Sequence, residues 1–262
     1  MKRQVTFDTG NKMYHLEIEK AYPFVVSGGS PGRIKRIANY LDDIEGCIEC
    51  ERGLVTIHGK YRGLPITAFS TGMGPASVSI VLPEIIEACD DAKMTILRLG
   101  TAGGLQQFLN IGDFVVTTKV DRRESTSDKI MGKGYLAHAD EEISKVLEDK
   151  ARQLKKEYQQ VYTGTTRTTD DIYFDALNAK IEYHGEVLAV SMEFSVYCAL
   201  RDRYNRDYNK QIKVGEILAI SDNVVKAGHE AIDLTEFQRR KSQIEESHIR
   251  IGLETLLKIS KN

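Results

Sequence analysis

Apolar residues fall along this chain in two rhythms. Short dense runs, such as Phe24-Val25-Val26 and Met94 to Leu99, suit buried strands, and each ends in a glycine-rich stretch. Between such runs, apolar residues recur three and four apart, as at Ile34, Ile37, Ala38 and Leu41, which is the spacing of one helix face. In order, the pattern predicts a strand at Phe24–Val26, a turn over Ser27–Gly32 and a helix over Arg33–Leu41. A hairpin-like pair comes next, Val55–Gly59 and Pro65–Phe69, then a turn at Ser70–Pro75 and a helix from about Ala76 to Ala88. Strands are expected at Met94–Leu99, Asp113–Thr118, Gln160–Thr166, Val187–Val190 and Val214–Ile220. Helices are expected at Asp140–Tyr158, Glu193–Tyr204 and Thr235–Ile259.

Strands alternating with helices imply an α/β fold: three αβα layers around a central mixed, largely parallel sheet. Ligands in such folds bind at the carboxyl ends of the strands. The glycine-rich turns, Ser191-Met192-Glu193 and Ser221-Asp222 all sit at such ends, so one edge of the sheet should carry the chemistry. No repeat, low-complexity tract or linker interrupts the pattern, so residues 1–262 read as a single domain.

Composition narrows the partners. A net charge of -2 calls for neither nucleic acid nor an anionic membrane surface. No apolar run approaches the roughly 20 residues of a membrane span. Met1-Lys2-Arg3-Gln4-Val5-Thr6 has no apolar stretch behind its charges, so a signal peptide is not expected and a cytoplasmic location is. Cys47 and Cys50 have C-x-x-C spacing without the strand–helix context of a redox motif or a second ligand pair for zinc. Cys89 and Cys198 lie in apolar helical stretches and read as core. No histidine pair has metal-ligand spacing; only His15 attracts interest, and the other five histidines read as surface or turn residues.

Five segments could carry chemistry, and each also has an ordinary structural reading. Gly28-Gly29-Ser30-Pro31-Gly32-Arg33 can bring backbone N–H groups, a helix start and a guanidinium to an anion, or can simply be a helix-entry turn. Arg98, near the end of an apolar strand, needs an anion if buried, whether a ligand or a protein carboxylate, and Thr101 adds a hydroxyl nearby. Arg52 belongs to a charged pair that could be a solvated loop. Glu193 starts a helix, where a carboxylate is favoured in any case. Asp222 comes after a strand, as either a proton donor with a raised pKa or a turn aspartate.

Taken together, these segments resemble the hexameric nucleoside phosphorylase family, which includes uridine phosphorylase and bacterial-type purine nucleoside phosphorylase. The likeness rests on His15-Leu16, Gly28 to Arg33, Ser70 to Ile80, Leu97 to Gly104 and Ser191-Met192-Glu193, in the family's order and spacing. It implies phosphate-dependent cleavage of a nucleoside's N-glycosidic bond to free base and pentose 1-phosphate, with inorganic phosphate as co-substrate and no cofactor or metal. Gly29, Arg33, Arg52, Arg98 and Thr101 would hold phosphate. His15, Tyr173, Met192, Glu193 and Asp222 would hold the nucleoside, with Tyr173 stacking on the base. The implied catalytic set is Asp222, Arg98 and Glu193. Arg52 and His15 would reach a neighbouring subunit's site, which implies a homo-oligomer, a hexamer built as a trimer of dimers.

Departures from the family pattern bear on substrate. Ser30 and Ser191 replace acidic residues, and Gly28 replaces a proline. The Gln-x-Arg pair with which uridine phosphorylases read uracil is missing after Asp171-Ile172-Tyr173-Phe174. Ser221-Asp222 resembles the purine enzymes, whose arginine partner for that aspartate has no clear match, although Arg239, Arg240 and Lys241 are near the expected place. A purine nucleoside is therefore the favoured substrate, with uridine as the alternative. A nucleosidase or a non-catalytic nucleoside-binding protein are further readings.

Overall fold

The structure is a computed structural model and describes residues 6, 10, 12–173, 185–227 and 233–261. Ten strands among the described residues form one sheet. They are β1 (Phe24–Gly28), β2 (Asp43–Glu49), β3 (Val55–Tyr61), β4 (Leu64–Ser70), β5 (Lys93–Gly104), β6 (Phe114–Arg123), β7 (Ala137–His138), β8 (Val161–Thr169), β9 (Val187–Ser191) and β10 (Gln211–Asn223). The helices are α1 (Pro31–Ile37), α2 (Pro75–Glu87), α3 (Thr126–Met131), α4 (Glu141–Leu154), α5 (Phe194–Asp207), α6 (Val224–Ala227) and α7 (Thr235–Ile259). A single 3-10 turn, Ala38–Tyr40, continues α1 over the span where the periodicity predicts one longer helix.

The sheet has a parallel centre. β1 runs parallel to both β4 and β5, β5 to β10, β6 to β8, and β8 to β9. Antiparallel pairings build the β2–β3–β4 meander and join β10 to β6 and β5 to β9. Because β10 pairs with both β5 and β6, and β9 with both β5 and β8, these five strands close into a ring.

Side-chain alternation along the central strands separates two cores. Val25, Ile96 and Val214 pack with α2 and α5 on one face. Val26, Leu97, Leu99 and Ile217 pack with α1, α4 and α7 on the other. These are the three layers expected from the alternation of elements.

The two strands that matter most are longer than the apolar pattern predicts. β5 continues through Gly100-Thr101-Ala102-Gly103-Gly104, so this segment is strand and not a terminal turn. β10 continues through Ser221-Asp222-Asn223. The reason lies in the pairing: twelve residues of each strand are in parallel register, from Gln211↔Lys93 to Asn223↔Gly104. This tertiary pairing overrides the glycines' weak strand preference. β2, which carries Cys47, has too little apolar alternation to be read from sequence. It is an edge strand with most side chains exposed.

Two histidine readings are corrected. His58 is buried on β3, with Nε2 2.8 Å from the Lys20 carbonyl. His248 is wholly buried on α7, with Nε2 3.0 Å from the Ile217 carbonyl. His184 and His229 lie outside the described residues. All four cysteines are free thiols: Cys47 is exposed, and Cys50, Cys89 and Cys198 are buried.

Candidate active site

Arg98 is the best-defined member of the site. Only 3% of it is exposed, and its side chain folds over Gly100, where any Cβ would collide with its Nη1 and with Leu218. A buried guanidinium requires negative partners, and the protein supplies two. Nη1 donates to Glu216 Oε1 at 2.6 Å, and Nη2 pairs with Glu193 Oε2. Burial disfavours the Arg98 charge, but the two carboxylates outweigh it and hold the group protonated. Nε is buried without a hydrogen-bond partner among the described residues.

Glu193 is the N-cap residue of α5, just ahead of the helix. Besides Arg98, it accepts from the backbone N–H groups of Gly74, at 3.0 Å, and Met192, at 3.2 Å. Those bonds tie the α5 start to the glycine turn between β4 and α2. A Cβ at Gly74 would just touch the Met192 methyl, and a Cβ at Gly29 would press on the Gly72 carbonyl at 3.0 Å. Gly29, Gly72, Gly74, Met192, Glu193 and Arg98 therefore converge on one stretch of the sheet edge. Thr101 is half-buried on β5, three residues beyond Arg98.

Arg33, in the first turn of α1, is also buried. Its Nη1 donates to the Leu99 carbonyl at 2.8 Å, and its Nε lies 3.6 Å from Glu245 on α7. Arg36 donates to the same carboxylate at 2.7 Å. Burial lowers the Arg33 pKa; Glu245 opposes that, while Arg98 and Arg36 add to it.

At the other end, Asp222 is 9% exposed and lies in register beside Gly103. A Cβ added to Gly103 would sit 3.1 Å from Asp222 Oδ2. Burial raises the pKa of this carboxyl, and the hydrogen bond from Ser221 Oγ, at 2.7 Å, pulls the other way. Asp222 also lines a cleft of about 600 Å³ with Asn110, Tyr158, Lys226, Glu236 and Arg240. Arg240, near the place expected for an arginine partner, pairs with Glu236 and stacks on Tyr158. Arg239 is likewise taken by Glu236.

Within one chain, three expected residues stand apart from this group. Arg52 lies in an exposed turn between β2 and β3. His15 Nδ1 is 2.7 Å from Glu84 Oε1, and that carboxylate also accepts from the His15 and Leu16 N–H groups. Tyr173 is 84% exposed, and the next segment, 174–184, lies outside the described residues. The uracil-reading positions expected after Phe174 fall in that segment.

The family model of the phosphorylase superfamily matches residues 23–258, a span that includes both ends of this site. The chain belongs to that superfamily. Guanosine phosphorylase of Halorubrum lacusprofundi is 28% identical over 226 residues, which cover 85% of this chain and 88% of that protein. Uridine phosphorylase of Thermococcus kodakarensis is 33% identical over 150 residues, 57% of this chain and 52% of that one. The crystal structure of purine nucleoside phosphorylase from Toxoplasma gondii superposes with a TM-score of 0.80 at 21% identity, covering 97% of this chain and 99% of that one; it speaks for the fold.

The phosphorylase is thus an enzyme of the pentosyltransferase kind, cleaving the N-glycosidic bond of a nucleoside with phosphate. Sequence reasoning missed three of its buried carboxylates: Glu216, Glu245 and Glu84. The signal for Glu216 was present, because an acid inside the apolar run Val214 to Ile220 raises the same question as Arg98 does. Glu245 is one of two adjacent glutamates on an amphipathic helix, and nothing local tells which one faces inward.

Proposed function

We propose that this phosphorylase acts on purine nucleosides, with Asp222 as the acid that protonates the leaving base. The observation that carries this reading is the buried Asp222 carboxyl at the end of β10. Its environment raises its pKa toward the range useful for proton donation, and no arginine or lysine among the described residues pairs with it. The guanosine-cleaving relative supports a purine base.

Glycosidic cleavage passes through an oxocarbenium-like sugar. In this reading Arg33, Arg98, Thr101 and the Gly29 backbone fix phosphate on one side of the sugar. Glu193 accepts from the ribose hydroxyls, Met192 packs against the sugar and Tyr173 against the base. Arg52, in its exposed turn, and His15 serve a neighbouring copy's site, so the working form is a homo-oligomer, and we propose a hexamer. Phosphate is the co-substrate, with no cofactor.

The test is base release from inosine, adenosine and uridine, each with and without phosphate. Phosphate-dependent release from inosine or adenosine, with uridine at least about tenfold slower in kcat/KM, is the expected result. Cleavage of uridine alone would overturn the purine assignment. Sedimentation of the purified enzyme tests the hexamer.

A further inference from the structure

The carboxylate beneath Arg98 is held as firmly as the guanidinium above it. Glu216 is fully buried on β10, directly in register with Arg98 on β5. Its Oε1 accepts from Arg98 Nη1 at 2.6 Å, and its Oε2 accepts from Thr117 Oγ1 at 2.6 Å. Thr117 Oγ1 in turn lies 3.1 Å from Thr166 Oγ1, so strands β6 and β8 both support the arrangement. Burial pushes the Glu216 carboxyl up, and Arg98 and Thr117 oppose that.

The two carboxylates on Arg98 are not equivalent. Glu216 sits in mid-strand, with both oxygens bonded and no exposure. Glu193 sits at a helix N-cap, beside two backbone N–H donors that could keep it company if it left Arg98. The two halves of the guanidinium are thus divided between a fixed partner and an exchangeable one. Among the described residues of one chain the local charges also balance. Arg33, Arg36 and Arg98 face Glu193, Glu216 and Glu245, so the subunit's own cluster offers an incoming phosphate no excess of positive charge.

We propose that Glu216 is a positioning residue for phosphate. It clamps Nη1 of Arg98 over Gly100, so that, of the two nitrogens that are paired, only Nη2 exchanges between Glu193 and a phosphate oxygen, and its charge holds phosphate affinity down until the nucleoside engages Glu193. This rests on the reading of Arg98 as a phosphate ligand. Each substrate takes one side of the same Arg98–Glu193 pair, so whichever binds first frees the group that the second needs. Coupling of this kind is reciprocal: nucleoside should tighten phosphate, and phosphate should tighten nucleoside, by the same factor.

Glu216→Gln keeps an acceptor for Nη1 and removes the charge. Calorimetric titration of inorganic phosphate into the purified full-length enzyme should show Kd falling at least about fivefold in this variant. KM for phosphate should fall with it, and KM for nucleoside should stay within about twofold. Glu216→Ala should raise KM for phosphate and lower kcat, and the Gln variant is the conservative rescue. If the Ala variant fails to fold, Thr117→Val loosens only Oε2 and should raise KM for phosphate by a smaller factor. Arg98→Gln separates the two ideas. If it leaves phosphate affinity intact, the phosphate role of Arg98 falls. If it weakens phosphate binding while Glu216→Gln leaves phosphate Kd unchanged or weaker, Glu216 is a core ion-pair partner only and the proposal is overturned.

Discussion

The two ends of the site solve opposite electrostatic problems. Around Arg98, three arginines and three glutamates are packed together and largely satisfy one another. At Asp222, one carboxyl is buried with a single hydroxyl donor among the described residues. The first end is tuned by competition, because a ligand that takes Arg98 Nη2 must displace Glu193. The second is tuned by desolvation, because no cation among the described residues pairs with the acid to keep it ionised. A charge network resists change until a partner is swapped, whereas a lone acid responds directly to pH.

The comparison can be broken most severely at Asp222. Asp222→Asn removes the proposed proton donor and should cost about 10²–10⁴ in kcat with little change in phosphate affinity. Steady-state kinetics would check this, and the wild-type rate should fall as pH rises through the elevated Asp222 pKa. The variant should lose that limb of the profile. If the two profiles had the same alkaline limb, the acid would lie elsewhere.

Arg98→Ala should strike both fold and turnover. It leaves Glu193 and Glu216 buried without their cation, a change that typically costs about 3–5 kcal/mol. Denaturant titration would register the loss, and activity should fall by about 10²–10³ in the folded fraction. The contrast with Asp222→Asn is the informative part, since removing an unpaired acid should leave stability unchanged or higher.

Gly100→Ala tests whether Arg98 must lie where it does. The added methyl collides with the guanidinium and with Leu218, so a cost of about 1–3 kcal/mol and a raised phosphate KM are expected. An unchanged KM would mean that the arginine has another way to reach its ligand.

The smallest effect is a matter of pH alone. Burial, with Arg33 and Arg98 adding to it, pushes His248 down to about 3. Between roughly pH 6.5 and 3 the unfolded chain takes up a proton that the folded one refuses, so stability falls as pH drops through that window. From pH 6.5 to 5 the His248 contribution is about 2 kcal/mol. His248→Gln should flatten the acid side of a stability–pH curve measured by chemical denaturation.

Much of this was legible in the residues themselves. The alternation of elements is set by local periodicity, so the three layers could be read directly. Arg98 stood out because an arginine in an apolar strand demands an anion, and Asp222 because it follows another apolar strand, Val214 to Ile220. Pairing across the sheet was less legible. Nothing near Gly100 to Gly104 says that β10 runs beside it, and so a local reading ends the strand too soon. The identity of the anion on Arg98 is likewise non-local, since Glu193 and Glu216 lie 95 and 118 positions away along the chain. His248 was misread because one face of α7 is buried, and which face can be known only once the sheet beneath it is in place.

The β5–β10 pair also acts as a measuring device. Arg98 folds its guanidinium over Gly100, and Gly100 and Gly103 are three residues apart on one strand, about 10 Å at the usual rise, a length that separates the charged cluster from the acid. The register slips once, between Ile220 and Asp222, so that Ser221 is an extra residue in its strand. Such a bulge re-aims the side chains beyond it. Without it, Asp222 would keep the same side as Glu216 and Leu218; with it, Asp222 faces the side of Gly103. Distance is thus counted in peptide units, and bearing is set by one inserted serine.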